Sequence, residues 1–492
     1  MAETQKGIAT ERIATHTMDL KDKLLASFMA FENQVDMDHP VHDIRSEAIR
    51  NFESKGFPHR KMEAWKYTSL APLQKVDFSL FPKEDSTLDY REVKQYFLHE
   101  VDTYKIVFID GIYSSYLSET THDGVDICLM SAALNKPMYR PIIDVYFNKV
   151  ASREESLTTL NTAFTREGAY IYIPKNKAPR KPVEILHLST GNEASLLLQP
   201  RNLIVVEENA ELQVIERHQS LTSNEVLTNS VTEIFAAKDA IVDYYKVQTD
   251  RPTASLIDNT YIDQKTNSQV SVHTFSFGGN LTRNNLNFYQ DGNHMNSILK
   301  GVTILGDKQH VDHHTLVHHQ QPDCESHQDY KGIFGDQSTG VFNGKIIVDK
   351  IAQKTNAFQQ NNNLLISDKA SVNTKPQLEI FADDVKCSHG CTIGQLDQDA
   401  LFYLRSRGIG KKEAEALLMY AFANNVLESV RIPELKGRIN RLIAEKLGVH
   451  LGLQRARLLC QGHNAHTNAR PPDKLEKDGM TANLVDTELT EA

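Results

Sequence analysis

The sequence predicts a mainly β protein, a long block of strands between helical ends, and three features carry that prediction. Between about residue 168 and about residue 394, helical periodicity gives way to short β-rich runs. Polar turn clusters separate the runs and recur roughly every 25 to 45 residues, a loose period of the kind repeat architectures show. Roughly 200 residues of strand without helical crossovers exclude a doubly wound sheet. A solenoid, a sandwich and a large barrel remain, and the likeness of the turn clusters to one another favours the solenoid.

At the N-terminus Met18, Leu20, Leu24, Leu25, Phe28 and Phe31 recur near helical spacing. A second helix begins near Asp43, carries Ile44, Ala48, Ile49 and Phe52, and stops at Gly56 with Pro58 beyond it. Residues 88–104 read as a third helix, and residues 105–113, KIVFIDGIY, as a strand entering a turn at Asp110-Gly111. The β-rich runs AYIYIP, PVEILHL, NLIVVE, LQVIE, IVDYYKVQ, QVSVHTFSF, GVTILG, GKIIVD and PQLEIF follow, with turns such as Glu208-Asn209-Ala210, Lys238-Asp239-Ala240 and Thr266-Asn267-Ser268 between them. The amides Gln359, Gln360, Asn361, Asn362 and Asn363 are suited to ladder between coils. Helices return at 397–408, 411–430 and 432–448, the last opened by Pro433, and a polar tail expected to be disordered closes the chain. The expected division is therefore a mostly helical region 1–140, a β core 141–395, a helical region 396–450 and a tail 451–492.

The chain of 492 residues carries a formal net charge of −10 and has no long basic stripe, which argues against nucleic acid as a partner. No apolar run reaches the roughly 18 residues of a membrane span, so no membrane partner is expected. The first thirty residues are polar and contain acids, unlike a signal or transit peptide, and a cytoplasmic location is expected. Five cysteines, Cys128, Cys324, Cys387, Cys391 and Cys460, fit reduced thiols better than a disulfide framework.

Ligand chemistry concentrates in two places. In Cys387-Ser388-His389-Gly390-Cys391 the alternation of a strand puts Cys387, His389 and Cys391 on one face, three soft or borderline donors of the kind a transition metal takes. In HVDHHTLVHHQQPDCESH, residues 310–327, the same alternation groups His310, Asp312, His314 and His318, with His313 and His319 opposite. Imidazole and carboxylate on one strand suit iron or zinc, although a polar solenoid surface has the same appearance. No G-x-x-x-x-G-K-[ST] occurs, GVFNGK at 340–345 being one residue short, and neither GxGxxG nor G-x-S-x-G is present. The chain should therefore not hydrolyse ATP by a P-loop mechanism, and if ATP drives its process a partner must supply it.

The segment KCSHGCTIGQLDQDALFYLRSRGI, residues 386–409, closely resembles the signature of the SufB/SufD family, and of its SufD branch in particular. GVFNGKIIV, AQKTNAFQQNNNLL and VNTKPQLEIFADDVKCSHG, in that order, are also similar to the family, as are GFPHRKMEAWKYTSL at 56–70 and LNTAFTREGAYIYIP at 160–174. The resemblance runs from about Ala26 to Gly448 and omits the tail. It implies a right-handed parallel β-helix flanked by N- and C-terminal helical regions.

The resemblance also implies a role as scaffold subunit in iron–sulfur cluster assembly by the SUF system. Such a chain pairs with a SufB-like subunit, carries a SufC-like ATPase on its C-terminal helices, and meets sulfur-delivery proteins indirectly. A nascent cluster of iron and sulfide is its transient cargo, and flavin stays an open question. Carried over, the family's histidine ligand at the SufB interface is His389, and Cys387 matches a family cysteine. Cys391 stands where the family usually has alanine, and a small buried filler is the favoured reading for it. Asp312, Thr315, His318 and Cys324 are typical of the family. The C-terminal helices also suit a cap over the last coil. The CSHG string argues against the SufB half, whose pattern resembles CEHE. Two rival classes are a β-helix protein acting on carbohydrates and an interaction scaffold that ligates nothing.

Overall fold

The computed structural model describes residues 19–32, 41–81, 90–121, 124–191 and 194–449. Met18, Leu88 and the tail with Cys460, His463 and His466 lie outside the described residues. The strand-rich block is a parallel β-solenoid of about eight turns with helices at both ends of the sequence. One sheet runs from Tyr104–Ile109 through Val183–Ser189, Glu211–Ser220, Ile241–Gln248, Gln269–Ser276, Asn296–Leu305, Glu325–Phe334 and Thr355–Leu365 to Val385–Gly394. The other runs from Ala169–Ile173 through Arg201–Val206, Val226–Ala236, Ala254–Gln264, Leu281–Gln290, His310–His319 and Thr339–Val348 to Ser371–Ile380. The chain crosses from one sheet to the other at nearly every turn, so successive coils stack in parallel register.

The turn clusters hold the coils in step. Asn209, Asp239 and Asn267 sit in the left-handed region at φ 56°, 58° and 62°, which Asn and Asp tolerate better than other side chains. They stack: the Asn209 side-chain amide donates to Asn176 Oδ1 at 2.8 Å, and that of Asn267 to Asp239 Oδ1 at 3.0 Å. This column is the physical origin of the repeat seen in the sequence. Asp110 and Gly111, at φ 51° and 78°, close the predicted turn as a hairpin onto Ile112–Tyr113.

The early coils are filled with Ile106, Ile171, Ile185, Ile204, Ile234 and Val272, all buried. Later coils are filled with amides. Thr315 Oγ1 donates to Gln328 Oε1 at 2.7 Å, Gln359 Nε2 reaches the same oxygen at 3.3 Å, and Asn363 Nδ2 donates to Asn361 Oδ1 at 2.7 Å. Strands such as Leu281–Gln290 and Thr355–Leu365 therefore lack the apolar alternation by which a strand is recognised.

Two N-terminal helices, Leu20–Glu32 and Val41–Lys55, pack on the solenoid flank through Leu24, Phe28, Phe31 and Phe52, with Leu160 and Phe164. The helix expected over 88–104 is only a short one, Tyr90–Val93, tightening into a 3-10 turn, Lys94–Tyr96. Val93, Phe97, Leu98 and Val101 are buried all the same. Phe97 however turns extended, because the chain must enter the first solenoid strand at Tyr104. The solenoid thus begins inside the region 1–140. The C-terminal helices, Gln398–Ser406, Lys411–Asn424 and Pro433–Leu447, do not close its end. They lie against its flank: Lys331 Nζ donates to Phe422 O at 3.1 Å, and Arg431 N donates to the Tyr245 hydroxyl at 3.0 Å.

Residues 56–70 are clamped onto the outer solenoid face by a buried ion pair. Arg283 Nη1 donates to Asp312 Oδ2 at 2.7 Å and to Ala64 O at 2.8 Å, and its guanidinium lies 3.8 Å from the centre of the Trp65 ring. Thr68 donates to the same Asp312 oxygen and lies 2.9 Å from His310 Nε2, while His314 Nε2 approaches Asp312 Oδ1 at 2.9 Å. Burial pushes the Asp312 carboxyl up, but Arg283 and His314 outweigh it and hold it well below the usual carboxylate range. Its contribution to stability is therefore complete above the unfolded value of about 3.9 and is lost only as pH falls toward the lowered folded value. Arg283→Met, which leaves Asp312 buried without its cation, should cost about 3–5 kcal/mol in urea unfolding. Arg283→Met with Asp312→Leu should recover most of that loss, and a single variant as stable as the parent would show that the clamp holds nothing.

An open last coil as the candidate functional site

The two ends of the solenoid differ. At the first, short antiparallel strands cover the sheet edges, Ile112–Tyr113 on one sheet and Asp126–Leu129 on the other. At the last, Val385–Gly394 pairs with Thr355–Leu365 and Ser371–Ile380 with Thr339–Val348, and among the described residues no strand follows either. Two ten-residue strands thus each present a row of backbone donors and acceptors outward.

Register fixes which side chains point into the open end. Cys387, His389 and Cys391 stack on Ala357, Gln359 and Asn361, which are buried inside the preceding coil. Val372, Thr374, Pro376, Leu378 and Ile380 stack likewise on Gly340, Phe342, Gly344, Ile346 and Val348. In earlier coils such inward side chains are covered by the next coil. Here His389 and Cys391 are exposed, Cys387 is half-buried, and Ile380 and Ile393 are 38% and 47% exposed. The lumen ends as a shallow basin with an apolar side and a ligand-bearing side.

The three donors lie on one face, as strand alternation predicts, and neighbouring ones are separated by about 7 Å along the strand. Burial pushes the Cys387 thiol up, against a backbone hydrogen bond from Ala357. A metal would therefore have to displace its proton, which makes Cys387 a weaker ligand than an exposed thiol. Cys391 is exposed and does not fill a buried alanine slot. An imidazole and one or two thiolates fit the soft-to-borderline donor set of iron–sulfur chemistry, but they cannot enclose a cluster from one side.

His310, Asp312, His314 and His318 share the outer face of His310–His319, as alternation requires. The first three meet in the clamp on residues 56–70, whereas His318 lies apart, with Nε2 at 3.0 Å from Asp349 Oδ1. Cys324 is buried, its Sγ 3.2 Å from Gly292 O. The reading of the sequence missed the floor of the basin: Gln359, directly beneath His389, keeps a buried Oε1 without a hydrogen-bond partner. It also missed the facing apolar strand, because that pairing is made by coil stacking and leaves no local motif.

Residues 187–422 match the family model described as SUF system FeS cluster assembly, SufBD core domain, and residues 18–185 match the SufBD protein N-terminal region. An iron–sulfur cluster assembly SufBD family protein of Synechocystis is 33% identical over 79% of this chain and 87% of its own length. The iron–sulfur cluster assembly protein SufD of Escherichia coli is 30% identical over 80% of this chain and 90% of its own. SufD of Bacillus subtilis is 25% identical over 83% and 94%. With a parallel solenoid ending in an open, ligand-bearing coil, and with relatives matched along nearly their whole length, the chain belongs to the SufBD family of SUF-system iron–sulfur cluster assembly proteins.

Proposed function

We propose that this chain is a SufD-type scaffold subunit that contributes one side of a cluster-building site. The open last coil carries the proposal. Its edge strands are suited to continue into a SufB-like subunit by strand addition, and such pairing would cover the apolar side of the basin. The partner's donors would then face His389, first among the candidates, with Cys391 and Cys387 beside it. The nascent cluster of iron and sulfide is cargo held between the two subunits, with sulfide arriving from sulfur-delivery proteins through the partner.

The C-terminal helices, within the region 396–450, are the proposed seat of a SufC-like ATPase. Phe402 and Tyr403, 73% and 56% exposed on Gln398–Ser406, offer an aromatic surface for it. His310, Asp312, His314 and His318 are assigned the lesser part, since Asp312 is already engaged by Arg283. The absence of a phosphate-binding loop in the sequence supports a non-catalytic role, and the few, odd-numbered cysteines support a cytoplasmic one.

Three outcomes check the reading. The purified chain alone should show no ATPase activity, and turnover in a preparation free of partner ATPase would refute that part. Ile393→Asp, at an already exposed position, should change stability by no more than about 0.5 kcal/mol yet abolish co-elution with a SufB-like partner in size-exclusion chromatography. His389→Ala should leave subunit ratio and thermal stability unchanged while maturation of a cluster-dependent enzyme fails in a strain lacking other assembly routes. Full maturation would remove His389 from the mechanism, and a complex that falls apart would make it structural.

A further inference from the structure

A second constellation of metal-type donors lies deep inside the opposite end of the solenoid. His187, Glu216 and His218 come from adjacent strands, Val183–Ser189 and Glu211–Ser220, and all three are buried. Their ligand atoms lie within 4.8 Å of one another. His187 and His218 stand in register and stack at 4.5 Å between ring centroids, with Phe108 closing over His187 at 5.2 Å. Both Nε2 atoms approach the same carboxylate oxygen: His187 at 3.2 Å and His218 at 3.7 Å from Glu216 Oε1. The second distance is beyond hydrogen-bond reach, so His218 Nε2 is buried with an ionic neighbour but no hydrogen-bond partner.

Two further observations point the same way. The carboxylate is held as a metal ligand's is, by an outer ring of donors: the Tyr244 hydroxyl donates to Glu216 Oε2 at 2.5 Å and Asn202 Nδ2 to Oε1 at 3.1 Å. Two further carboxyls, of Asp258 and part-buried Asp250, act on His218 along with that of Glu216, and Lys246 is paired with Asp258. With ligand bonds near 2.1 Å, tetrahedral donors stand about 3.4 Å apart, close to the two separations seen.

We propose that His187, Glu216 and His218 form a structural site for one divalent transition-metal ion of borderline hardness, zinc or ferrous iron, bound inside the solenoid and separate from the His389 basin. Two imidazoles and a carboxylate are the donor set such ions take. The ion would engage the orphaned His218 nitrogen and staple the first coils together. Because Phe108 and the coils enclose the site, loading accompanies folding rather than following it.

The test uses the full chain carrying Cys387→Ser, His389→Ala and Cys391→Ser, so that the basin contributes no donors. It is produced in medium supplied with zinc and iron, purified anaerobically with a chelator wash, and measured for metal by mass spectrometry. About one retained ion per chain is expected, falling about tenfold or more in His218→Gln and in Glu216→Gln. A parent chain with no retained metal, or a folded His218→Gln chain that keeps its metal, overturns the proposal. Should the variants not fold, X-ray absorption of the parent decides. A first shell of two imidazole nitrogens with oxygen supports the site, and a sulfur-containing or all-oxygen shell refutes it.

Discussion

A parallel coil satisfies its backbone only by lying against another coil. Each strand here gives its N–H and C=O groups to the strands before and after it, so stacking cannot end without leaving a row of groups unpaired. The first end resolves this with short antiparallel strands, Ile112–Tyr113 and Asp126–Leu129. The last end does not, and its C-terminal helices turn aside to the flank. The same coil carries Cys387, His389 and Cys391. Unpaired edge groups and metal-type donors therefore sit on the same coil, on two strands of ten residues each.

The interior changes character along the axis, and each change has its own energetic logic. Where Ile, Val and Leu fill the early coils, burial of apolar surface suffices. Where Gln328, Gln359, Asn361 and Asn363 fill the later ones, the amides bond to one another, between coils from Gln359 to Gln328 and within a strand from Asn363 to Asn361. The ladder fails at its last rung, and Gln359 Oε1 is left without a partner just below His389. Toward the first coils, Lys246 with Asp258 and Arg201 with Glu233 are buried pairs. Their desolvation largely cancels their attraction, so such pairs add little net stability.

The helical ends are fixed by charge as well as by apolar contact. Arg283, lying on Trp65 and bonded to Ala64 O, holds residues 56–70 on the outer face, and Asp312 is the countercharge that makes a buried guanidinium tolerable there. At the other end Arg431 lies 3.4 Å from Asp243 on the flank of the solenoid. Both attachments are to coils before the last, and the last coil is touched on its outer face, where Lys375 pairs with Glu63 at 2.5 Å. Helices placed in this way brace the solenoid from its flanks.

The sequence by itself determined the mainly β class, a loose coil period and the faces of the strands that carry the candidate donors. These are local properties: Asn209, Asp239 and Asn267 accept left-handed backbone, and alternation separates Cys387, His389 and Cys391 from Ser388 and Gly390. Helix ends were legible for the same reason, Gly56 and Gly448 at φ 65° and 69° and Asp397 capping through its carboxylate. Amide-filled strands escaped, because their inward residues are chosen by partners some 30 positions away and not by hydrophobicity. Only the tertiary structure decided that the helices flank the solenoid instead of capping it, that Asp312 belongs to a clamp, and that Cys391 stands in the open. Each of those depends on what stacks above a residue, and in a solenoid that neighbour lies one full coil away in the chain.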